Sequence, residues 1–245
     1  MMSLSTRVLV CTSLFAGIVA KARPSSHFQG LLQMRGGSSG SSSADDPVFD
    51  IISENKVYDG KYRQILQKEV KFPTGKINTF DIMSNNGLPS VSCFCWDVQK
   101  KCTTLVKEYH PGADQFMYGT INGQYEANEG GKHTSAKECA SFELAEEAQL
   151  EAQAEDFISM LDEGSSSSMD KYTDNRLHPF LILNPQSVSE ENARAMDDEE
   201  FIHVVPGLDY YSVMDLIATG KINVVSSYTI LLGWQTLEKL GIEYK

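Results

Sequence analysis

Six residues, Phe142, Glu143, Leu144, Ala145, Glu146 and Glu147, restrict this chain more than any other stretch. As a helix they place Glu143, Glu146 and Glu147 at i, i+3 and i+4, so three carboxylates project from one face. Like charges at that spacing oppose helix formation by roughly 0.2–0.5 kcal/mol per pair. The face is then either solvated or the holder of a divalent cation that removes the repulsion. The surroundings favour a helix. Ser135 and Glu138 form a capping box, and Ala136, Cys139, Ala140, Leu144 and Ala148 recur at helical spacing. Mg2+ or Mn2+ suits such carboxylates, because Mg2+ takes oxygen ligands, keeps several waters and is completed by substrate phosphates.

Around this helix the pattern is mixed. Residues 61–70 and 77–83 read as strands joined at Phe72, Pro73, Thr74, Gly75 and Lys76, where Pro73 and Gly75 suit the second and fourth positions of a type I turn. Residues 91–98 and 103–109 are two more strands, the second broken by His110, Pro111 and Gly112. Gly119, Gly123, Gly130 and Gly131 make 118–133 a long loop. The glutamate helix fades near Leu150 or continues toward Leu161, and the serine-rich 163–170 is a loop. Residues 177–183 form a buried strand ended by Asn184 and Pro185, and 201–205 another. A helix over 210–218 stops at Gly220, and a last helix opens at Ser226 or Ser227 and closes before Gly241. Interspersed strands and helices predict an α/β or α+β sandwich. Trp96 and Trp234 read as core.

At 245 residues the chain allows one large domain or two small ones. Residues 1–44 carry Arg7, Lys21, Arg23 and Arg35 and no acid. Residues 8–20 are mostly apolar, a small-x-small site follows at Ala20 to Ala22, and 23–44 are rich in Ser and Gly. A signal-like stretch followed by a transit-like one predicts a targeting segment and flexible linker over 1–44, with delivery to a plastid; a mitochondrial or secretory route is the rival. The folded body is then 45–245. It carries 17 basic against 33 acidic residues, a net of −16. Such a surface repels nucleic-acid backbone and anionic membranes, and admits a polyanion only with a cation. No membrane association is expected of the mature form. The five cysteines, Cys11, Cys93, Cys95, Cys102 and Cys139, give neither a disulfide framework nor a paired zinc motif. Cys93 and Cys95 alternate on one face of their strand.

The order of strand pair, glycine-rich segment, Glu-x-x-Glu-Glu helix, loop, strands and C-terminal helix resembles a Nudix hydrolase. The helix matches the second half of the family motif, with Glu143, Glu146 and Glu147 on its metal-binding glutamates and Gly123 on its opening glycine. Phe142 stands where the family has Arg, Gln149 where it has Gly, and about five extra residues separate Gly123 from the helix. Val57-Tyr58, the 72–76 turn, Leu105 to Pro111, and Asp198 to Val204 resemble the ADP-ribose and ADP-sugar pyrophosphatases, in a plant and algal branch, over residues 50–243.

The resemblance implies an α/β/α sandwich with an N-terminal antiparallel hairpin or sheet. It implies a Mg2+- or Mn2+-dependent enzyme that splits a nucleoside diphosphate sugar of the ADP-ribose or ADP-glucose type into a nucleoside monophosphate and a sugar phosphate. Glu143 and Glu147 are the implied principal ligands, with Glu146 beside them. Asn175 falls where relatives carry a Glu that acts as base, so Asp174 or Glu163 is the candidate proton acceptor, with Glu146 and Glu147 as the other candidate catalytic residues. Gly123, Lys132, His133 and Arg176 are candidate substrate contacts. The resemblance also implies a homodimer through the N-terminal hairpin. A catalytically impaired module that binds a nucleotide or a protein partner is the alternative the altered motif leaves open.

Overall fold

The computed structural model describes residues 46–61, 63–125, 135–193 and 201–245. The predicted targeting segment over 1–44, Lys132, His133 and the acidic run 197–200 lie outside them.

The chain opens with β1 (Asp50–Asp59), β2 (Gln64–Lys71) and β3 (Ile77–Ser84). They form an antiparallel sheet of their own in the order β1-β2-β3. The β2–β3 register is unbroken from Gln64↔Ser84 to Lys71↔Ile77. Its turn is the expected one, with the Gly75 N–H donating to Phe72 O at 2.8 Å. Sequence pattern missed β1, whose apolar residues do not alternate. Register shifts at Ile51/Ser53 and Lys56/Tyr58 account for that, since each bulge moves the following side chains to the other face.

Two hairpin-linked strands follow, β4 (Ser90–Trp96) and β5 (Thr103–His110), then β6 (Gln115–Gly119) and β7 (Ile121–Gln124). The first helix, α1 (Ala136–Ala148), is capped by Ser135, whose hydroxyl accepts the Glu138 N–H at 3.1 Å. It stops at Ala148 instead of running on: Gln149 adopts φ +54°, its N–H turning back to Leu144 O. Beyond it lie β8 (Leu150–Glu151), a 3₁₀ turn at Ala154–Asp156, β9 (Phe157–Ser159), β10 (Ser167–Ser168), β11 (Arg176–Leu183) and β12 (Gln186–Ser187). The chain ends with β13 (Ile202–Leu208), α2 (Tyr210–Ala218) and α3 (Val224–Lys239). The cap of α3 is Asn223, not Ser226 or Ser227: the Asn223 carboxamide accepts the Ser226 N–H at 2.9 Å, and Ser226 is itself fully buried inside the first turn.

The central sheet runs β10-β11-β4-β7, with β9 also on β11. Strands β11 and β4 are parallel, and β7 is antiparallel to β4 at the sheet edge. Strand β4 is buried on both faces and sorts its side chains by alternation. Val91, Cys93 and Cys95 face one core with Cys139, Ala140, Leu144 and Ala148 of α1. Phe94 and Trp96 face the other, with Val213 of α2 and Ile230, Trp234 and Leu237 of α3. Helices thus cover both faces, which is the expected α/β/α sandwich. Trp96 and Trp234 meet edge to face at 4.9 Å in the second core. A separate sheet, β13-β5-β6, adds Leu105 and Val106 to the two cores.

The loop expected over 118–133 is overturned for its first part. Gly119 closes β6 and Gly123 sits within β7, paired with Val91. These glycines serve close approach. A Cβ on Gly119 would come 3.2 Å from Ser226 Oγ, and one on Gly123 would fall on the Glu143 carboxylate.

Among the described residues no helix is long and apolar enough to cross a membrane.

Candidate functional site

Because β7 is an edge strand, one row of its backbone groups faces away from β4. Helix α1 lies against that edge. The Asn122 N–H donates to Glu147 Oε2 at 3.0 Å, and Glu147 is only 8 % exposed. One turn earlier the Glu143 side chain occupies the space that a Cβ of Gly123 would fill. The two carboxylates therefore rest on consecutive backbone units of one strand. Their proximity is also registered by the Cys93 thiol beneath them. Burial pushes that thiol well above its ordinary pKa, and neighbouring Cys95, Cys139, Glu143 and Glu147 push it in the same direction. Glu146, half-buried, completes the i, i+3, i+4 face.

The strand that presents Asn122 is itself braced by a buried hydroxyl cluster. Thr120 Oγ1 lies 2.8 Å from Ser92 Oγ of β4 and donates to Ser226 Oγ of α3 at 3.1 Å. Ser226 Oγ also accepts the Thr120 N–H at 3.1 Å, and Thr229 Oγ1 donates to Ser92 Oγ at 2.9 Å. All four hydroxyl residues are 0 % exposed. Asn122 Nδ2 donates back to Thr120 O. Helix α3, strand β4 and the β6–β7 junction are thus tied to the backbone that holds Glu147.

Beside this edge lies a cleft of about 480 Å³, lined among others by Arg63, Asn85, His110, Asn122, Gly123 and Asn223. Asn122 and Gly123 are the residues on which the carboxylates rest. His110 enters it from the end of β5, its Nε2 3.1 Å from Glu108 Oε1, whereas the exposed Tyr109 turns to Asp114.

The structure brings Gly123, Glu143 and Glu147 together, with Glu146 on the same helix face. It places Asp174 elsewhere. Asp174 Oδ2 accepts from Ser84 Oγ at 2.7 Å, and the Asp174 N–H donates to Met83 O at 3.2 Å, so this residue ties its loop to the end of β3. Neighbouring Asn175 is buried and accepts the Asn85 N–H at 3.1 Å. Arg176 opens β11, and its guanidinium donates to the hydroxyl and carbonyl of Ser166. Asn122, Arg63, Asn85 and the hydroxyl cluster escaped sequence reasoning. Asn122 sat in a segment read as loop, and four Ser/Thr residues scattered over 137 positions carry no local signal.

The donor chemistry fits a hard divalent cation. Two carboxyl side chains rest side by side on a backbone corner that lacks a Cβ, and Mg2+ needs only a few carboxylates because waters and phosphates fill its remaining positions. Among the described residues no three acidic, imidazole or thiol side chains converge tightly enough to enclose an ion by themselves. A cation here would be completed by its substrate.

No family model and no curated protein matches the chain. Among solved structures it is similar to one described as the crystal structure of an ADP compounds hydrolase. The TM-score is 0.63 at 18% sequence identity, over 83% of this chain and 100% of that one. At that identity the likeness establishes a shared fold.

Proposed function

We propose that the protein is a metal-dependent hydrolase that splits the pyrophosphate of a nucleoside diphosphate sugar, of the ADP-ribose or ADP-glucose type, into a nucleoside monophosphate and a sugar phosphate. The observation that carries this reading is the pair Glu143 and Glu147, fixed on the edge of β7 beside a cleft that the same two backbone units line. The fold neighbour acts on ADP compounds, which supports a nucleotide-derived substrate.

A bound Mg2+ or Mn2+ would supply charge neutralisation at the phosphate oxygens and a lowered pKa for the attacking water. Glu143 and Glu147 would hold it, with Glu146 as the third carboxylate of the face. Water attacks one phosphorus, the bond from that phosphorus to the bridging oxygen breaks, and the leaving phosphate keeps the electron pair. The water's proton passes to a carboxylate base, for which Glu146 of the same helix face is the candidate, because Asp174 is tied to Ser84 at the end of β3. Fixing Glu147 through the Asn122 N–H and Glu143 against Gly123 removes reorganisation at the moment of reaction. Arg63 lies on the cleft wall, where a guanidinium suits a phosphate.

The test is turnover of a panel of nucleotide sugars with Mg2+, read as phosphate released by a coupled phosphatase, for wild type and Glu147→Gln. This substitution keeps an oxygen acceptor for the Asn122 N–H and removes the charge. Activity should fall by at least about 100-fold. Undiminished turnover would exclude the site. The second reading is a module that binds a nucleotide without turnover. It is favoured by Asp174 and Asn175 being engaged at the β3 end, and nucleotide binding without turnover on any substrate would support it.

The same reading extends to assembly and location. The β1-β2-β3 sheet exposes Ile51, Ile52, Val57 and Tyr58, which supports a homodimer through this sheet, testable by light scattering. The composition of 1–44 supports plastid delivery, testable by fluorescent fusion with and without those residues.

A further inference from the structure

The cleft beside Glu143 and Glu147 shares walls with two chambers that differ in chemistry. One, of about 350 Å³, is walled by Met169, Leu177, Val224, Val225 and Tyr228; all of these but Tyr228 also line the cleft. Its polar groups include the hydroxyls of Ser167 and Tyr228, which bond to one another at 2.8 Å. Val224, in the first turn of α3, is 83% exposed and Tyr228 is 38% exposed, so an apolar wall is presented to solvent. The other chamber, of about 320 Å³, is walled among others by Lys61, Arg63, Gln64, Asn85, Asn86 and Gln124. It shares Arg63, Asn85 and Gln124 with the cleft. Its walls are thus rich in amides and cations.

We propose that the substrate lies across the cleft with its nucleobase in the Val224–Tyr228 chamber and its terminal sugar in the Lys61–Asn86 chamber. The pyrophosphate then spans Gly123. This rests on the pyrophosphatase reading and adds the direction of binding. A nucleobase is a flat ring with two apolar faces. It gains from leaving water and from lying against an aromatic ring, as Met169, Leu177, Val224 and Tyr228 permit. A sugar carries hydroxyls that each need a donor or an acceptor, and carboxamides supply both. The half of the pyrophosphate nearer that sugar meets Arg63, which lines both the cleft and this chamber. The reverse orientation would put hydroxyls against hydrocarbon and a bare ring among solvated amides, which loses on both sides.

Calorimetric titration with adenosine monophosphate and, separately, ribose 5-phosphate tests the direction. The probed proteins are wild type, the double variant Val224→Gln/Tyr228→Ala, each of its singles, and Asn86→Gly. Val224 is exposed, and Asn86 has φ +57°, which glycine tolerates, so these changes leave the core intact. The double variant should weaken adenosine monophosphate about tenfold and leave ribose 5-phosphate within about twofold, with Asn86→Gly doing the converse. If the double variant fails to fold, the singles carry the same comparison with smaller losses. Equal losses of both probes, the reversed pattern, or a wild type that binds neither probe overturns the proposal. Hydrolysis of a nucleotide sugar with base binding indifferent to Val224 and Tyr228 sinks the direction alone. Chamber-dependent binding without turnover on any nucleotide sugar sinks the hydrolase reading and keeps the direction.

Discussion

Gly123→Ala separates folding from chemistry at this site. A Cβ built on Gly123 overlaps the Cγ, Cδ and Oε1 atoms of Glu143, so the carboxyl must leave its cradle. What yields is the end of a side chain, not backbone, so the fold absorbs the change. Gly123 is paired with Val91 in β7 and its φ is not in the left-handed region, so alanine also gains about 0.4–1 kcal/mol from a less flexible unfolded chain. The net stability change should stay within about 1 kcal/mol, a shift of about 2–4 °C or less in the melting midpoint for a domain of this size. Chemistry responds differently. Displacing a positioned group by about 1 Å costs on the order of 100-fold, which is about 2.7 kcal/mol of transition-state stabilisation. The assay pairs thermal unfolding with kcat/KM on the substrate found by the nucleotide-sugar panel. A folded Gly123→Ala with full turnover would refute the cradle. Loss of folding together with activity would show Gly123 to be a packing residue and no more.

Three further outcomes follow from the same geometry. Thr120→Val leaves Ser92 and Ser226 short of a buried partner. It should cost about 1–3 kcal/mol by chemical denaturation, with turnover reduced in the folded fraction because the Asn122 backbone loosens; an unchanged midpoint would remove the cluster from the argument. Adding Mn2+ at about 100 times its dissociation constant should raise unfolding stability by about 2.7 kcal/mol in wild type and by less in Glu147→Gln, read by thermal shift. Asp97 is held below the usual carboxylate range, first by its bond to the Lys100 side chain and then by the Lys100 N–H. A depressed folded pKa stabilises above the unfolded value of about 3.9 and is lost as pH falls through the folded value. Asp97→Asn should therefore lower stability by about 1 kcal/mol at pH 7, with the difference shrinking toward zero in acid; a pH-independent difference would contradict the pairing.

Local physics was legible in the chain itself. The Phe72–Gly75 turn, the Ser135 cap, the three-glutamate face of α1 and the span of α2 all depend on bonds within a few residues, and each is present. Alternation along β4 placed Cys93 and Cys95 on one face, and both turn toward α1. Where the deciding partner lies far along the chain, local pattern misled. Gly119 and Gly123 look like loop residues until Ser226 and Glu143 are packed against them. Ser226 looks like a cap until it is seen buried against Thr120, 106 positions away, leaving the capping to Asn223. Asp174 and Asn175 stand together in sequence, yet each is tied to the end of β3, 90 positions earlier.

The sequence alone determined that three carboxylates share one helix face, because helical periodicity is a property of neighbours. Tertiary structure decided that two of them rest on the edge of β7 beside a cleft with one apolar and one polar end. That arrangement depends on which strand is left at the sheet edge and which helix covers it, and packing across the domain settles both.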